Sequence, residues 1–129
     1  YIVCSSGTAN TVRTYNASGA LQATATSASP TPTLGALAAT SCTQDANGRI
    51  IVAYSGGTDA VRVYTTVGMT AVDWTFTDTN VLTTPGKLAV RPNGNILVTD
   101  TAFNHIVEIS PTGSLVRVIG GAVLSNPNN

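Results

Sequence analysis

Two thiols, one imidazole and six carboxylates are the groups of this 129-residue chain best suited to bond-making chemistry. Cys4 and Cys42 are the only cysteines. An even pair in a chain poor in lysine and rich in serine and threonine fits an exported protein, where a disulfide survives. Bonded cysteines need Cα atoms ~4.4–6.8 Å apart, while packed sheets lie about 10 Å apart. The pair therefore reads either as a disulfide made where two sheets converge or as two buried thiols. With a single distant histidine, His105, they lack the spacing of a zinc motif. His105 has no cysteine or serine partner near it in sequence and reads as a surface or turn residue. Asp100 and Asn104 bracket a short loop, where Asx side chains accept backbone N–H bonds and fix a turn. Gly56-Gly57 and Gly120-Gly121 lack the following helix that a phosphate cradle requires. No catalytic residue, metal or cofactor is expected.

Two stretches could carry sugar. Asn16-Ala17-Ser18 is an N-glycosylation sequon in a turn segment. Residues 27–33 mix serine and threonine with two prolines, so Ser29, Thr31 and Thr33 are candidate O-glycosylation sites, or the stretch is a linker stiffened by proline. Trp74 and Phe76 stand two apart, which places them on one face of a strand as core or as an exposed aromatic platform. Arg13 and Arg62 share a repeat position that Glu108 takes over in the third copy, a pattern expected of a solvated sheet surface.

The elements that must hold these groups are strands. Ile2-Val3-Cys4 leads to Val12-Arg13-Thr14-Tyr15, Ile51-Val52-Ala53-Tyr54 to Val61-Arg62-Val63-Tyr64, and Leu97-Val98-Thr99-Asp100 to Ile106-Val107-Glu108-Ile109. Each pair is followed by a turn ending in glycine: Gly19, Gly68 and Gly113. Val3, Val52 and Val98 recur at intervals of about 45–50 residues, within the ~40–50-residue period of four-stranded propeller blades. β-Branched runs bounded by Gly, Asn and Pro predict eleven short strands, three then four then four. They fall near 1–5, 11–15, 20–25, 37–43, 49–54, 60–65, 71–77, 87–91, 95–100, 105–109 and 114–119. Asn47-Gly48 and Asn93-Gly94 are predicted as tight turns with positive φ.

Composition narrows the class. Six Lys+Arg against six Asp+Glu give zero net charge, and only 9% of residues are charged. No basic surplus exists to neutralise nucleic-acid phosphates or anionic lipid, and no apolar run approaches a membrane span. Ser plus Thr make up about a quarter of the chain, which favours β-structure over helix. The chain opens at Tyr1 with neither an initiator methionine nor a signal peptide, and is expected to be a processed chain or a piece of a longer one.

Pro85-Gly86-Lys87-Leu88-Ala89-Val90-Arg91-Pro92-Asn93-Gly94-Asn95-Ile96-Leu97-Val98-Thr99-Asp100 followed by Asn104-His105-Ile106 resembles an NHL repeat. The second copy keeps Asn47-Gly48 and Asp59-Ala60-Val61 but has Tyr54 in place of the aspartate, and the first has Ser5 there. The resemblance implies an all-β, propeller-type domain of four-stranded antiparallel blades: blade 1 at about 1–26 without its first strand, a linker at 27–36, blade 2 at about 37–77, blade 3 at about 85–120 and a tail at 121–129. The absence of assignable chemistry together with the repeats points to a non-enzymatic structural or binding module, and the low lysine, high Ser/Thr content and even cysteine count place it outside the cell or on the cell surface. The strand missing from the first blade points to copies of itself or the rest of a longer propeller chain as partners, and the sequon and Ser/Thr/Pro stretch to glycans. Tyr1, Ile2 and Val3 would form an open edge, and Ala122, Val123 and Leu124 of another copy the strand that adds to it, closing a six-bladed ring of two or extending a filament. The alternative is part of a lactonase-type propeller hydrolase, which would hold a divalent metal in carboxylates and asparagines.

Overall fold

The structure, a computed structural model, describes residues 1–4, 11–26 and 37–121. It is all-β. Sheet 1 contains β1 (Ile2–Cys4), β2 (Thr11–Tyr15) and β3 (Leu21–Thr26). Sheet 2 contains β4 (Ala38–Gln44), β5 (Ile50–Ser55), β6 (Ala60–Tyr64) and β7 (Val72–Phe76). Sheet 3 contains β8 (Pro85–Val90), β9 (Ile96–Asp100), β10 (His105–Ile109) and β11 (Leu115–Gly120). Each strand pairs antiparallel with its sequence neighbours, so every sheet is a meander, and the strand limits fall within about two residues of those expected from the pattern of apolar and turn residues.

One turn design recurs at the hairpins after β2, β4, β8 and β10. The N–H of Gly19, Gly48, Gly94 and Gly113 donates to the carbonyl three residues earlier, and a second bond joins the flanking residues, as in Arg91 N–H to Asn95 O at 2.8 Å. The glycine alone takes positive φ; Asn47 and Asn93 do not. The hairpin is thus a type I turn followed by a left-handed glycine, and an Asx side chain within the turn accepts backbone N–H bonds. Asn93 Oδ1 accepts from Asn95 N–H, as Asp45 Oδ1 does from Asn47 N–H and Arg49 N–H.

Burial follows from the stacking order. Sheet 2 lies between the other two. Ile51, Ala53, Val61, Val63 and Phe76 form one core with Ile96, Val98, Val107 and Ile109 of sheet 3. Ile50, Val52, Tyr54 and Tyr64 form another with Val12 and Ala25 of sheet 1. Covered on both faces, β5 is buried without alternation from Ile50 to Tyr54, whereas β9 alternates buried and half-buried residues. Trp74 and Phe76 pack into the core between sheets 2 and 3.

The two-sided cover overturns the solvated-surface reading of the Arg62 position. Arg62 is fully buried because sheet 1 covers its face of sheet 2, while the equivalent Arg13 is exposed. Glu108, also expected in solvent, is buried at 1% exposure. In the register it aligns with Val63 and Thr14, since Ile109, Tyr64 and Tyr15 each end their strands.

Candidate functional site

The face of sheet 3 turned away from sheet 2 carries Leu97, Thr99, Ile106, Glu108, Arg117 and Ile119. Registers place Leu97 opposite Glu108 and Glu108 opposite Arg117, with Thr99, Ile106 and Ile119 in the neighbouring row. The matching positions of sheet 2 are Ile51, Ala53, Val61, Val63, Trp74 and Phe76. There, sheet 3 covers them. On sheet 3 no described strand lies over the face: Ile119 is 40% exposed, and every residue of β11 is exposed.

Glu108 anchors this face. Its Oε1 accepts from Arg91 Nη1 and Asn95 Nδ2, both at 2.8 Å, and its Oε2 from Arg117 Nε at 2.6 Å. Asn95 first, then Arg117 and Arg91, hold its carboxyl down at about 2 against a smaller opposing effect of burial. Two guanidiniums around one carboxylate leave the cluster with a net positive charge. Arg91 lies in the β8–β9 turn and Arg117 on β11, so the cluster ties the second and fourth strands of the sheet through the third. Sequence reasoning missed this. The available signal was an acid in mid-strand where the other copies carry valine and threonine, with arginines in the flanking strand and turn.

At the opposite end of the face an open hollow of about 730 Å³ is lined by Thr99, Asp100, Asn104, His105, Ile106 and Ile119. Its two titratable side chains are turned to the segment that joins sheets 2 and 3. Asp100 Oδ2 accepts from Thr83 N–H at 2.5 Å and Thr84 N–H at 2.8 Å, and Oδ1 from Phe103 N–H at 2.9 Å. Burial alone would raise the Asp100 pKa, but bonds from Thr84, Phe103 and Thr83 outweigh it and leave it lowered. His105 Nε2 lies 2.7 Å from Val81 O, and since a carbonyl only accepts, Nε2 carries the proton. His105 is half-buried rather than a surface residue, with the Phe103 ring 5.3 Å away. Asn104 takes φ of 53°, which turns the chain from β9 into β10.

Sheets 2 and 3 are also tied at their turn ends. Pro111 O accepts from Arg49 Nη1 at 2.9 Å and from Trp74 Nε1 at 3.0 Å. Arg49 bonds in addition to Asp45 and Asp73. Closer in, Thr40 Oγ1 donates to Pro85 O at 2.8 Å, joining β4 to β8. Sheets 1 and 2 are tied covalently: Cys4 and Cys42 form a disulfide with Cα atoms 6.0 Å apart.

The remaining carboxylates serve turns, Asp59 accepting from Gly56 N–H and Asp78 from Asn80 N–H. All six acidic side chains of the chain are thereby engaged in ion pairs, turns or the inter-sheet segment. Among the described residues no three His, Cys, Asp or Glu side chains group as metal ligands. Asn16 Oδ1 accepts from Ser18 N–H and Ala20 N–H, so the sequon asparagine closes its own hairpin. Tyr1 and Val3 are 80% and 50% exposed on the edge strand of sheet 1, with Ile2 half-buried. Ser29, Thr31, Thr33, Ala122, Val123 and Leu124 lie outside the described residues.

The fold is similar to the crystal structure of a protein of unknown function from Bacteroides caccae, with a TM-score of 0.63 at 16% sequence identity. The match covers 94% of this chain and 42% of that one. This chain spans about two fifths of the length of that protein, and the likeness is one of fold. No protein-family model matches the chain, and no curated protein matches it in sequence.

Proposed function

We propose that the chain is a non-enzymatic structural module of an exported β-propeller, acting by packing sheet face on sheet face. One observation carries the reading. Leu97, Ile106 and Ile119 occupy the positions that Ile51, Val61 and Phe76 fill in the covered core of sheet 2, yet among the described residues no further sheet faces them. A face that keeps three of the six apolar positions of the covered one, beside the Glu108–Arg117 cluster, is suited to receive the next member of the stack. The occupant is a sheet of the same repeat, supplied by another copy or by the rest of a longer chain. At the other end of the stack, sheet 1 ends in β1, which pairs with β2 alone. Stacking of this kind is head-to-tail, so it closes a ring or runs on as a filament.

The Cys4–Cys42 disulfide supports the exported reading, because such bonds persist in oxidising compartments. The hydrolase alternative draws on carboxylates that the fold employs elsewhere, and is not carried forward. Light scattering on the 129-residue chain tests the assembly reading. Mass that rises with concentration, and that falls to a monomer's in Ile119→Arg, is the expected result. A wild-type chain that stays at 13.1 kDa throughout overturns it.

A further inference from the structure

β11 differs in kind from the last strands of the other two sheets. All three are bulged at the same place, so that Leu21, Val72 and Leu115 pair with the final residues of β2, β6 and β10. This aligns Gln22 and Asp73 with Val116, and Thr24 and Thr75 with Val118. β3 and β7 are thus polar where β11 is apolar. Leu115, Val116, Val118 and Ile119 are each 38–48% exposed. A sheet laid over Leu97, Ile106 and Ile119 would not reach Val118, which pairs with the buried Val107 and so lies on the side turned to sheet 2. Stacking therefore leaves this strand unexplained.

We propose that β11 is a strand-addition edge taken by β11 of a second copy, the two four-stranded sheets joining antiparallel into one of eight. Among the described strands β11 pairs with β10 alone, and the N–H groups of alternate residues turn away from that partner, leaving backbone donors and acceptors along the outer edge. Lysine, proline or an inward charge ordinarily guards such an edge. The one charge on β11, Arg117, is drawn onto Glu108 of its own sheet. Whatever pairs with this edge has to be extended, apolar on both faces and free along one side. β1 offers three residues, and β3, β4, β7 and β8 bring Gln22, Gln44, Asp73 and Lys87. Of the described edge strands, β11 alone joins a length of six residues to apolar side chains on both faces. The chain carries zero net charge, so two copies meet without mutual repulsion. A pair centred on Val118 sets Arg117 opposite Ile119 and Val116 opposite Gly120, which keeps the two guanidiniums from facing each other. Such a two-fold contact uses the same surface on both copies and stops at two. It goes beyond the stacking reading and stands whether or not a sheet covers Leu97, Ile106 and Ile119.

Amide hydrogen exchange on the 129-residue chain at low and high concentration tests the pairing. Exchange across residues 115–120 should slow as concentration rises. Val116→Gln combined with Val118→Thr gives β11 the residues that β3 carries at these positions, a pattern this fold already accommodates, and should abolish the slowing. Leu97→Arg, on the face proposed for stacking, should leave the slowing in place and limit the mass seen by light scattering to two copies. β11 amides that exchange at one rate at every concentration overturn the pairing, whether that rate is the fast one of a free edge or the slow one of an edge covered within the chain. Association that Leu97→Arg abolishes and the β11 double variant leaves untouched also overturns it, and is the result that stacking alone would give.

Discussion

Glu108 shows how a single residue's meaning depends on what gathers round it. Its folded pKa of about 2 lies below the ordinary value of 4.5, so its contribution to stability is complete above about pH 4.5 and is lost as pH falls toward 2. The thermal midpoint should therefore drop across that window, and Glu108→Gln should flatten the drop while lowering the midpoint at neutral pH. An unchanged acid limb in the variant, measured by circular dichroism, would assign the acid sensitivity to other carboxylates, Asp100 first among them. His105 belongs at the same scale. Its bond to Val81 O holds the inter-sheet segment, and His105→Ala should cost about 1 kcal/mol, the net worth of a hydrogen bond in a half-buried setting. Urea denaturation measures it, and a cost near zero would show that the segment is fixed without this bond.

Among the elements, the hairpin after β8 is the most sharply specified. Gly94 sits at φ of 84°, and a Cβ there would stand 3.1 Å from Pro111 Cγ of the neighbouring turn. Gly94→Val combines left-handed strain for a β-branched residue with that contact, and a loss of more than about 1 kcal/mol is expected. A denaturation midpoint equal to wild type would contradict the turn geometry. The link from sheet 1 to sheet 2 rests on Cys4–Cys42, which closes a loop across a sequence separation of 38. By the chain-entropy relation, a loop of that size stabilises by about 4 kcal/mol, so reduction should lower the urea midpoint substantially. Sheet 1 has one strand fewer than the others, and amide exchange should show β1 and β2 opening first when the bond is reduced.

At the scale of the molecule, three meanders are stacked so that the middle one is buried on both sides and the last has a face over which no described strand lies. That asymmetry underlies the association expected in light scattering. How much of it was legible in the sequence differs by feature. Strand number, order and limits were, because period-two apolar runs and Gly-terminated turns are local signals that each segment carries for itself. The recurrence of Val3, Val52 and Val98 likewise announced three similar units. The buried state of Arg62 and Glu108 was not legible, since a charged residue in a strand reads as solvent-facing until the sheet that covers Arg62, or the Arg91, Asn95 and Arg117 side chains that gather on Glu108, are in place. Nor was the use of Asp100 and His105 to hold residues 81–84, because the sequence does not say which backbone groups a side chain will meet. The choice between a disulfide and two thiols was also left open by the sequence. It depends on a 6.0 Å approach of β1 and β4 that only the stacking of sheets 1 and 2 produces. The sequence determined the elements because hydrogen-bonded hairpins form between neighbours in the chain. Tertiary structure decided the faces, because burial is a property of what lies opposite, and strands far apart in sequence supply it.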